Sequence, residues 1–355
     1  MVHTQNDRRC RLSKVLHGLI LALVIFVVFS LIMTVVLFHL MFGRSELNPV
    51  NLEEHYSDVD PVRYPRTPVR FYSGDNRLQG YYYEAAAPAG IVVMVHGVRD
   101  GADSHLPETL YFVDHGWTVF CFNGTGTRES DGSGIKGLAQ LKLDLMAAIR
   151  YVTEDRPGCP ILLYGHSQGA YSAAAVLDDF PSVSAAVCVA GFDTPLGTMY
   201  YHAHRWVGPL ATVEYPFLYL YNYLLFGDEG NESAASAIAE GDTPVLLVYG
   251  SDDTTVPAPI SLYERCDELD VPNTSYLLIE DAPRNRHSTA WRTEESAAYF
   301  LEKAGELDEL RRTYGQTLPQ DVTEEYLSGL DRGKLWVLDQ DFMDSVQDFF
   351  LRAVA

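Results

Sequence analysis

The sequence has few positive charges and few cysteines for its length. Its 355 residues include 26 Lys and Arg against 48 Asp and Glu, which gives a formal net charge of -22 at pH 7, and only 5 Cys. A surface this acidic repels phosphate groups, so the composition argues against a nucleic-acid partner. There is no CxxC pair and no Cys/His metal spacing, so we predict no metal, no cofactor and no obligatory disulfide. Cys159 and Cys266 could pair only if the fold brought them together.

Charge is absent altogether from one N-terminal stretch. From Val15 to Gly43 the sequence has no Asp, Glu, Lys or Arg, and this run exceeds the roughly 20 residues that a helix needs to cross a bilayer. It is also longer than the apolar region of a signal peptide, about 7 to 15 residues, and no small-x-small cleavage site follows it. We therefore predict an uncleaved transmembrane helix over residues 15–42.

The charges on either side of this helix predict its orientation. Arg8, Arg9, Arg11 and Lys14 precede it, whereas the polar, proline-punctuated segment 43–68 that follows is mainly acidic. By the positive-inside rule, residues 1–14 are cytoplasmic. We expect a single-pass protein of the cell membrane in which residues 43–68 tether an extracytoplasmic domain, residues 69–355, to the helix.

Within residues 69–355, short apolar runs alternate with helical segments. VRFYSG and LQGYYYEA flank DNR and predict a β-hairpin. Six later runs predict buried strands: 91–97, 117–123, 160–167, 184–191, 244–250 and 275–281. Buried strands that alternate with helices predict a mostly parallel sheet covered on both faces, with its ligand site at the carboxyl ends of the strands.

One serine lies at a predicted strand-to-helix turn. In YGHSQGAYS, residues 164–172, Gly165, His166, Ser167 and Gly169 form the pattern GxSxG between an apolar run and an alanine-rich helix. Flanking glycines relieve clashes around a serine held in a strained turn, with its hydroxyl exposed above the sheet. We therefore predict that Ser167 is a nucleophile at such an elbow.

A serine nucleophile needs a base and an acid, and both types of residue follow it in the chain. SDDT, directly after the predicted strand 244–250, offers Asp252 and Asp253, and RNRHST, after the last predicted strand, offers His287. The order Ser, acid, His is that of hydrolases built on such a sheet. At this point either aspartate can be the acid.

These motifs resemble those of the α/β-hydrolase superfamily, near its serine-aminopeptidase-like and esterase-like branch, from about residue 69 to the C-terminus. The family's GxxDxxVP pattern matches Gly250, Val256 and Pro257, which implies that Asp253 is the acid, with Asp252 one residue out of register. His287 stands where the family carries its base. The resemblance also implies an oxyanion hole formed by the backbone N–H groups of Gln168 and of Val98, which follows the HG pair His96–Gly97.

Two further segments are interpreted through this resemblance. FNGTGTRES departs from the family's DxxGxGxS turn at Asn123 and Arg128, which suggests a rim shaped for this chain's own substrate. The aromatic-rich interval 192–242 corresponds to a helical cap over the site.

The resemblance implies a serine hydrolase. A small-molecule ester is the favoured substrate, because the predicted cap is apolar and an ester needs no dedicated recognition of an amino terminus. A peptidase is the alternative, in which Glu214, Asp228 or Glu229 would hold a substrate ammonium group. A non-catalytic binding protein of the same fold is the third possibility. We expect the membrane to be its macromolecular partner and find no signal for an obligatory protein partner.

Overall fold

The structure is a computed structural model that describes residues 2–47, 50–52 and 55–355, with side chains from residue 13 onward. Its first element is helix α1 (Val2–Met41), which contains the predicted span. One stretch of α1, Ser13–Met41, is long and apolar enough to cross a membrane. Residues 48, 49, 53 and 54 of the expected tether and the side chains of residues 1–12 lie outside the described part.

The domain is a single mostly parallel sheet with helices on both faces. Its strands are β1 (Arg66–Ser73), β2 (Asn76–Tyr83), β3 (Ile91–Val95), β4 (Thr118–Phe122), β5 (Ile161–His166), β6 (Val183–Val189), β7 (Val245–Gly250) and β8 (Thr274–Ile279). They lie in the order β1-β2-β4-β3-β5-β6-β7-β8. The pairs β1–β2 and β2–β4 are antiparallel and the others are parallel. The predicted hairpin, the six strands and the fold class are confirmed. The prediction that all six strands are buried is wrong for β8, which lies at the edge of the sheet and leaves Tyr276 and Leu278 exposed because it has a neighbouring strand on one side only.

Helices on both faces explain why the inner strands β3 to β7 are buried at almost every position. Val93 and Val95 of β3 pack into one core, whereas Val92 and Met94 pack into the other, on the opposite face. A strand buried on both faces loses the alternation of polar and apolar residues. The covering helices are α2 (Leu106–Asp114), α3 (Gln140–Asp155), α4 (Gln168–Ala175), α8 (Leu262–Glu268), α9 (Glu294–Tyr314), α10 (Gln320–Ser328), α11 (Arg332–Leu335) and α12 (Gln340–Val354).

The interval 192–242 contains three helices, α5 (Pro195–Val207), α6 (Leu210–Phe226) and α7 (Ala234–Glu240). Thr194 caps α5 by accepting a hydrogen bond from the Gly197 N–H, and α6 contacts both α5 and α1. The interval therefore joins the domain to the N-terminal helix.

The segment 43–68 is not simply extended between helix and domain. The Ser45 N–H donates to the Gly126 carbonyl oxygen at 2.9 Å, and Ser45 O accepts from the Arg128 N–H at 2.9 Å. At its far end the segment is already part of the sheet, since β1 begins at Arg66. Although this polar segment shows no periodic pattern, its residue Ser45 forms hydrogen bonds with a loop of the domain.

Candidate active site

The sharp turn between β5 and α4 holds Ser167 in a left-handed backbone conformation, with φ 57°. The neighbouring glycines are required sterically. A Cβ on Gly165 would lie 2.3 Å from Gly169 O, and a Cβ on Gly169 would lie 2.0 Å from Val95 O. These contacts are far too short for any side chain, so the GxSxG pattern follows from the packing of the elbow against β3.

Ser167, His287 and Asp253 form a continuous chain of hydrogen bonds. His287 Nε2 lies 3.0 Å from Ser167 Oγ, and His287 Nδ1 lies 2.7 Å from Asp253 Oδ2. Because the Asp253 carboxylate accepts at Nδ1, that nitrogen carries the proton and Nε2 is free to accept from the serine hydroxyl. In serine hydrolases a nucleophile, a base and an orienting acid are arranged in this way.

The Asp253 carboxylate is fixed from its other side. Asp253 Oδ1 accepts from the backbone N–H groups of Thr255 and Val256, each at 2.8 Å, and the side chain is fully buried. Asp252, by contrast, is exposed and forms an ion pair with Arg286 at 2.9 Å. The structure therefore brings Asp253 to His287 and leaves Asp252 at the surface.

Two backbone N–H groups, that of Gln168 at the start of α4 and that of Val98 on the loop after β3, follow the ends of neighbouring strands. β3 and β5 are neighbouring parallel strands paired through Val95 and Gly165, so the loop that carries Val98 and the first residue of α4, Gln168, emerge side by side. Within the described residues, neither N–H donates to a protein acceptor. Free N–H groups beside a nucleophile suit stabilisation of an oxyanion.

The loop that carries Val98 is held by His96. The Gly124 N–H donates to His96 Nε2 at 3.0 Å, so the proton is on His96 Nδ1, which donates to Gly97 O at 2.7 Å. Burial lowers the pKa of His96 to about 4 and keeps the ring neutral, as this hydrogen-bond pattern requires.

His166 has a contact that sequence reasoning missed. Its side chain was expected to point away from the site, yet His166 Nε2 donates to the backbone carbonyl oxygen of His287 at 2.9 Å. Its ring also packs against the His287 ring, with centroids 4.9 Å apart, and against Trp291 at 4.9 Å. Nothing in the local pattern indicates a partner 121 residues away.

The two departures from the family's glycine-rich turn have structural roles. Asn123 Oδ1 accepts from the Ala102 N–H at 2.8 Å, and Asn123 Nδ2 donates to Glu129 at 2.7 Å. Arg128 adopts φ 47°, a conformation in which glycine is usual, and its backbone and guanidinium bind Ser45 and Glu46 of the segment 43–68. The turn thus receives the polypeptide that leaves α1.

Two of the three cap carboxylates considered for an ammonium site are already engaged. Glu214 accepts a hydrogen bond from Ser30 of α1 at 3.0 Å, and Glu229 pairs with the buried Lys142 at 2.7 Å. Asp228 is exposed. Among the described residues there is no group of three or more His, Cys, Asp or Glu that could hold a metal ion.

Comparisons with known proteins agree with this architecture. Residues 86–222, less than half of the chain, match the family described as serine aminopeptidase, S33. An esterase of Pyrococcus furiosus superposes with a TM-score of 0.53 at 17% identity, over 77% of this chain and 98% of that chain. An acylaminoacyl peptidase of Pyrococcus horikoshii gives a TM-score of 0.48 at 18% identity, over 74% of this chain and 44% of that chain. No curated protein matched the sequence.

The sheet order and the superposition on the esterase structure define the fold. The chain has the α/β-hydrolase fold, and its residues 86–222 are similar to the serine aminopeptidase family.

Proposed function

We propose that this protein is a membrane-anchored serine hydrolase that cleaves carboxylic esters. The observation that carries the proposal is the unbroken hydrogen-bond chain from Ser167 through His287 to Asp253. Ser167 Oγ attacks the ester carbonyl while His287 Nε2 takes its proton, and the backbone N–H groups of Val98 and Gln168 receive the developing oxyanion. His287 then protonates the departing alcohol, and water releases the acid from the acyl-serine by the reverse sequence.

An ester is favoured because the cap is rich in apolar residues and because, of the three cap carboxylates considered, only the exposed Asp228 is not engaged by Ser30 or Lys142. Recognition of a peptide amino terminus would need a carboxylate directed at the site, and Glu214 and Glu229 are occupied by Ser30 and Lys142. The esterase of similar fold is consistent with this choice. The family match to serine aminopeptidases favours a peptidase as the second candidate.

Labelling with a fluorophosphonate probe tests the catalytic proposal. The wild type should react, whereas Ser167→Ala should not, and turnover of an activated ester should fall roughly 10⁴-fold or more. Ser172→Ala is the matched control, because Ser172 lies on α4 and bonds only the backbone carbonyl of Gln168. Labelling that survives Ser167→Ala would mean that another residue is the nucleophile, and no labelling of the wild type would favour the non-catalytic binding protein.

A substrate panel distinguishes the two enzymatic candidates. p-Nitrophenyl esters of increasing acyl length and aminoacyl p-nitroanilides are compared by kcat/KM on the same preparation. Preference for the esters supports the proposal. Preference for the anilides would establish the peptidase instead.

The anchoring proposal rests on α1 and the charges beside it. Protease added to intact cells should digest the domain beyond residue 43 and leave the short N-terminus protected. Digestion of the domain only after lysis would reverse the orientation.

A further inference from the structure

The cap helix α6 packs against α1, both near the end of α1 and deeper along it. Three side-chain contacts join the two helices: the Ser30 hydroxyl donates to Glu214 Oε1 at 3.0 Å, and the ring centroids lie 5.8 Å apart for Phe26 and Phe217 and 5.0 Å apart for Phe38 and Tyr221. The same helix α6 packs against α5, where Tyr200 and Tyr215 are 5.3 Å apart. We call α5 and α6 together, residues 195–226, the cap hairpin.

The position of these contacts on α1 fixes their depth in a membrane. The apolar stretch Ser13–Met41 has 29 residues, or about 44 Å at 1.5 Å per residue, whereas the hydrocarbon core of a bilayer is about 30 Å thick. Phe26 lies about 23 Å from the end of the helix at Met41. Even if all of the excess length, about 14 Å, projected on the domain's side, Phe26 and the Phe217 ring beside it would lie about 9 Å inside the hydrocarbon.

The side chains of α1 are distributed as expected for a helix in a membrane, with polar residues facing the protein and apolar residues exposed. Ser30 and Thr34, the polar residues in the middle of the span, are both buried against the protein. The neighbouring Val28, Phe29 and Ile32 are exposed. A spanning helix turns its polar side chains to protein and its apolar ones to lipid, so the contact with the cap hairpin is one that α1 can keep within a bilayer.

The cap hairpin itself lacks the polar outer face of a soluble helix. α6 contains no Lys, Arg or Asp, and its one Glu is the residue that accepts from Ser30. Nine large hydrophobic side chains of the hairpin are exposed: Trp206, Val207, Leu210, Val213, Tyr219, Leu220, Tyr223, Leu224 and Leu225. A surface helix normally presents charged residues to water, and contiguous apolar surface marks a contact with another phase or partner. Here that surface belongs to a hairpin that packs against α1, whose own apolar side chains are exposed as well.

Arg205, near the end of α5, is the one Lys or Arg of the hairpin. A guanidinium is costly at the bilayer centre, but its long side chain can reach headgroups or water while its stem stays in apolar surroundings. A position of the hairpin in the leaflet on the domain's side would let Arg205 reach headgroups or water.

We propose that the cap hairpin is embedded in that leaflet beside α1, with its exposed apolar side chains in contact with lipid acyl chains. The inference rests on the proposed anchoring by α1 and does not depend on the proposed catalysis. The cap hairpin is then a membrane-facing element, and the partner that it binds is the hydrocarbon of the bilayer.

Tryptophan fluorescence tests this contact directly in the full-length chain. The protein has 4 Trp; Trp117 and Trp291 are buried in the domain, and Trp336 is partly buried near its C-terminal end. The protein is reconstituted into phosphatidylcholine vesicles with or without lipids brominated on the acyl chains, which quench only tryptophans in the hydrocarbon. We expect quenching in the wild type, its loss in Trp206→Phe, and its retention in the matched control Trp336→Phe.

Equal quenching in the wild type and in Trp206→Phe would overturn the inference, and so would no quenching in either. The vesicles are also washed at alkaline pH, because release of the protein would refute the anchoring and with it the embedding. Turnover of an activated ester by the same vesicles reports on catalysis separately. Failure of the hairpin proposal is thus distinguished from failure of the proposed function.

Discussion

His166 Nε2 donates a hydrogen bond of 2.9 Å to the backbone carbonyl oxygen of His287. The donor must be Nε2 because a carbonyl can only accept. Burial and the neighbouring His287 ring hold the pKa of His166 well below its usual range, so the ring is neutral. The residue before the proposed nucleophile therefore supports the residue proposed as its base.

This contact predicts that His166 acts as a positioning residue. His166→Phe keeps an aromatic ring but loses the donor, and we expect kcat to fall by about 10- to 100-fold, since small displacements of a base are costly. His166→Asn, which keeps a side-chain N–H, should retain more activity. The acid limb of the pH profile of kcat/KM should shift in His166→Phe if the environment of His287 changes. Wild-type kcat and an unshifted profile in both variants would assign His166 to packing alone.

Much of the architecture was predictable because its signals are local. Apolar runs predicted the strands. The GxSxG pattern predicted the elbow, because the backbone around Gly165 and Gly169 leaves no room for a side chain. The role of His166 was not predictable, because its partner is on a loop beyond β8. The docking of Ser45 was missed for the same reason, since a polar segment without periodicity carries no sign of the loop that receives it.

Replacing Asp252 or Asp253 by asparagine removes its charge and tests which of the two aspartates is the acid. Asp253→Asn should lower turnover by about 10⁴-fold, because an amide can stabilise the wrong tautomer of His287. Asp252→Asn should lose far less, since its partner is the exposed Arg286, and such surface pairs contribute little. Turnover of one activated ester is measured for both, with thermal melts to exclude misfolding. If Asp252→Asn were inactive and Asp253→Asn had near-normal turnover, Asp252 would be the acid.

A hydrogen bond from the segment 43–68 predicts the effect of a third substitution. The Ser45 hydroxyl donates to the Arg99 carbonyl oxygen at 2.6 Å, and Arg99, with φ 67°, directly follows the proposed oxyanion donor Val98. Ser45→Ala removes this restraint, and we expect a loss of several-fold in kcat with little change in KM, in line with about 1 kcal/mol for one hydrogen bond. Ser57→Ala, an exposed serine in the same segment, is the control. Equal kcat in the two variants would show that this contact does not position the loop.

The lowered pKa of His96 predicts how the free energy of unfolding depends on pH. Its folded pKa is about 4 because of burial, whereas an unfolded histidine titrates near 6.5. Above pH 6.5 both states are neutral and the shift has no effect. Between pH 6.5 and 4 the unfolded chain binds the proton and the folded one does not, so stability falls as pH falls.

We expect this single group to lower the free energy of unfolding by roughly 2 kcal/mol between pH 7 and pH 5. His96→Gln, which keeps one donor and one acceptor but does not titrate, should lose that part of the pH dependence. The midpoint of thermal unfolding is measured for both proteins at the two pH values. His166 shifts in the same direction and His105 in the opposite one, and both are present in the two proteins, so only the difference between the slopes reports on His96. Identical slopes would mean that folding does not lower the pKa of His96 and that this ring does not contribute to the pH dependence of stability.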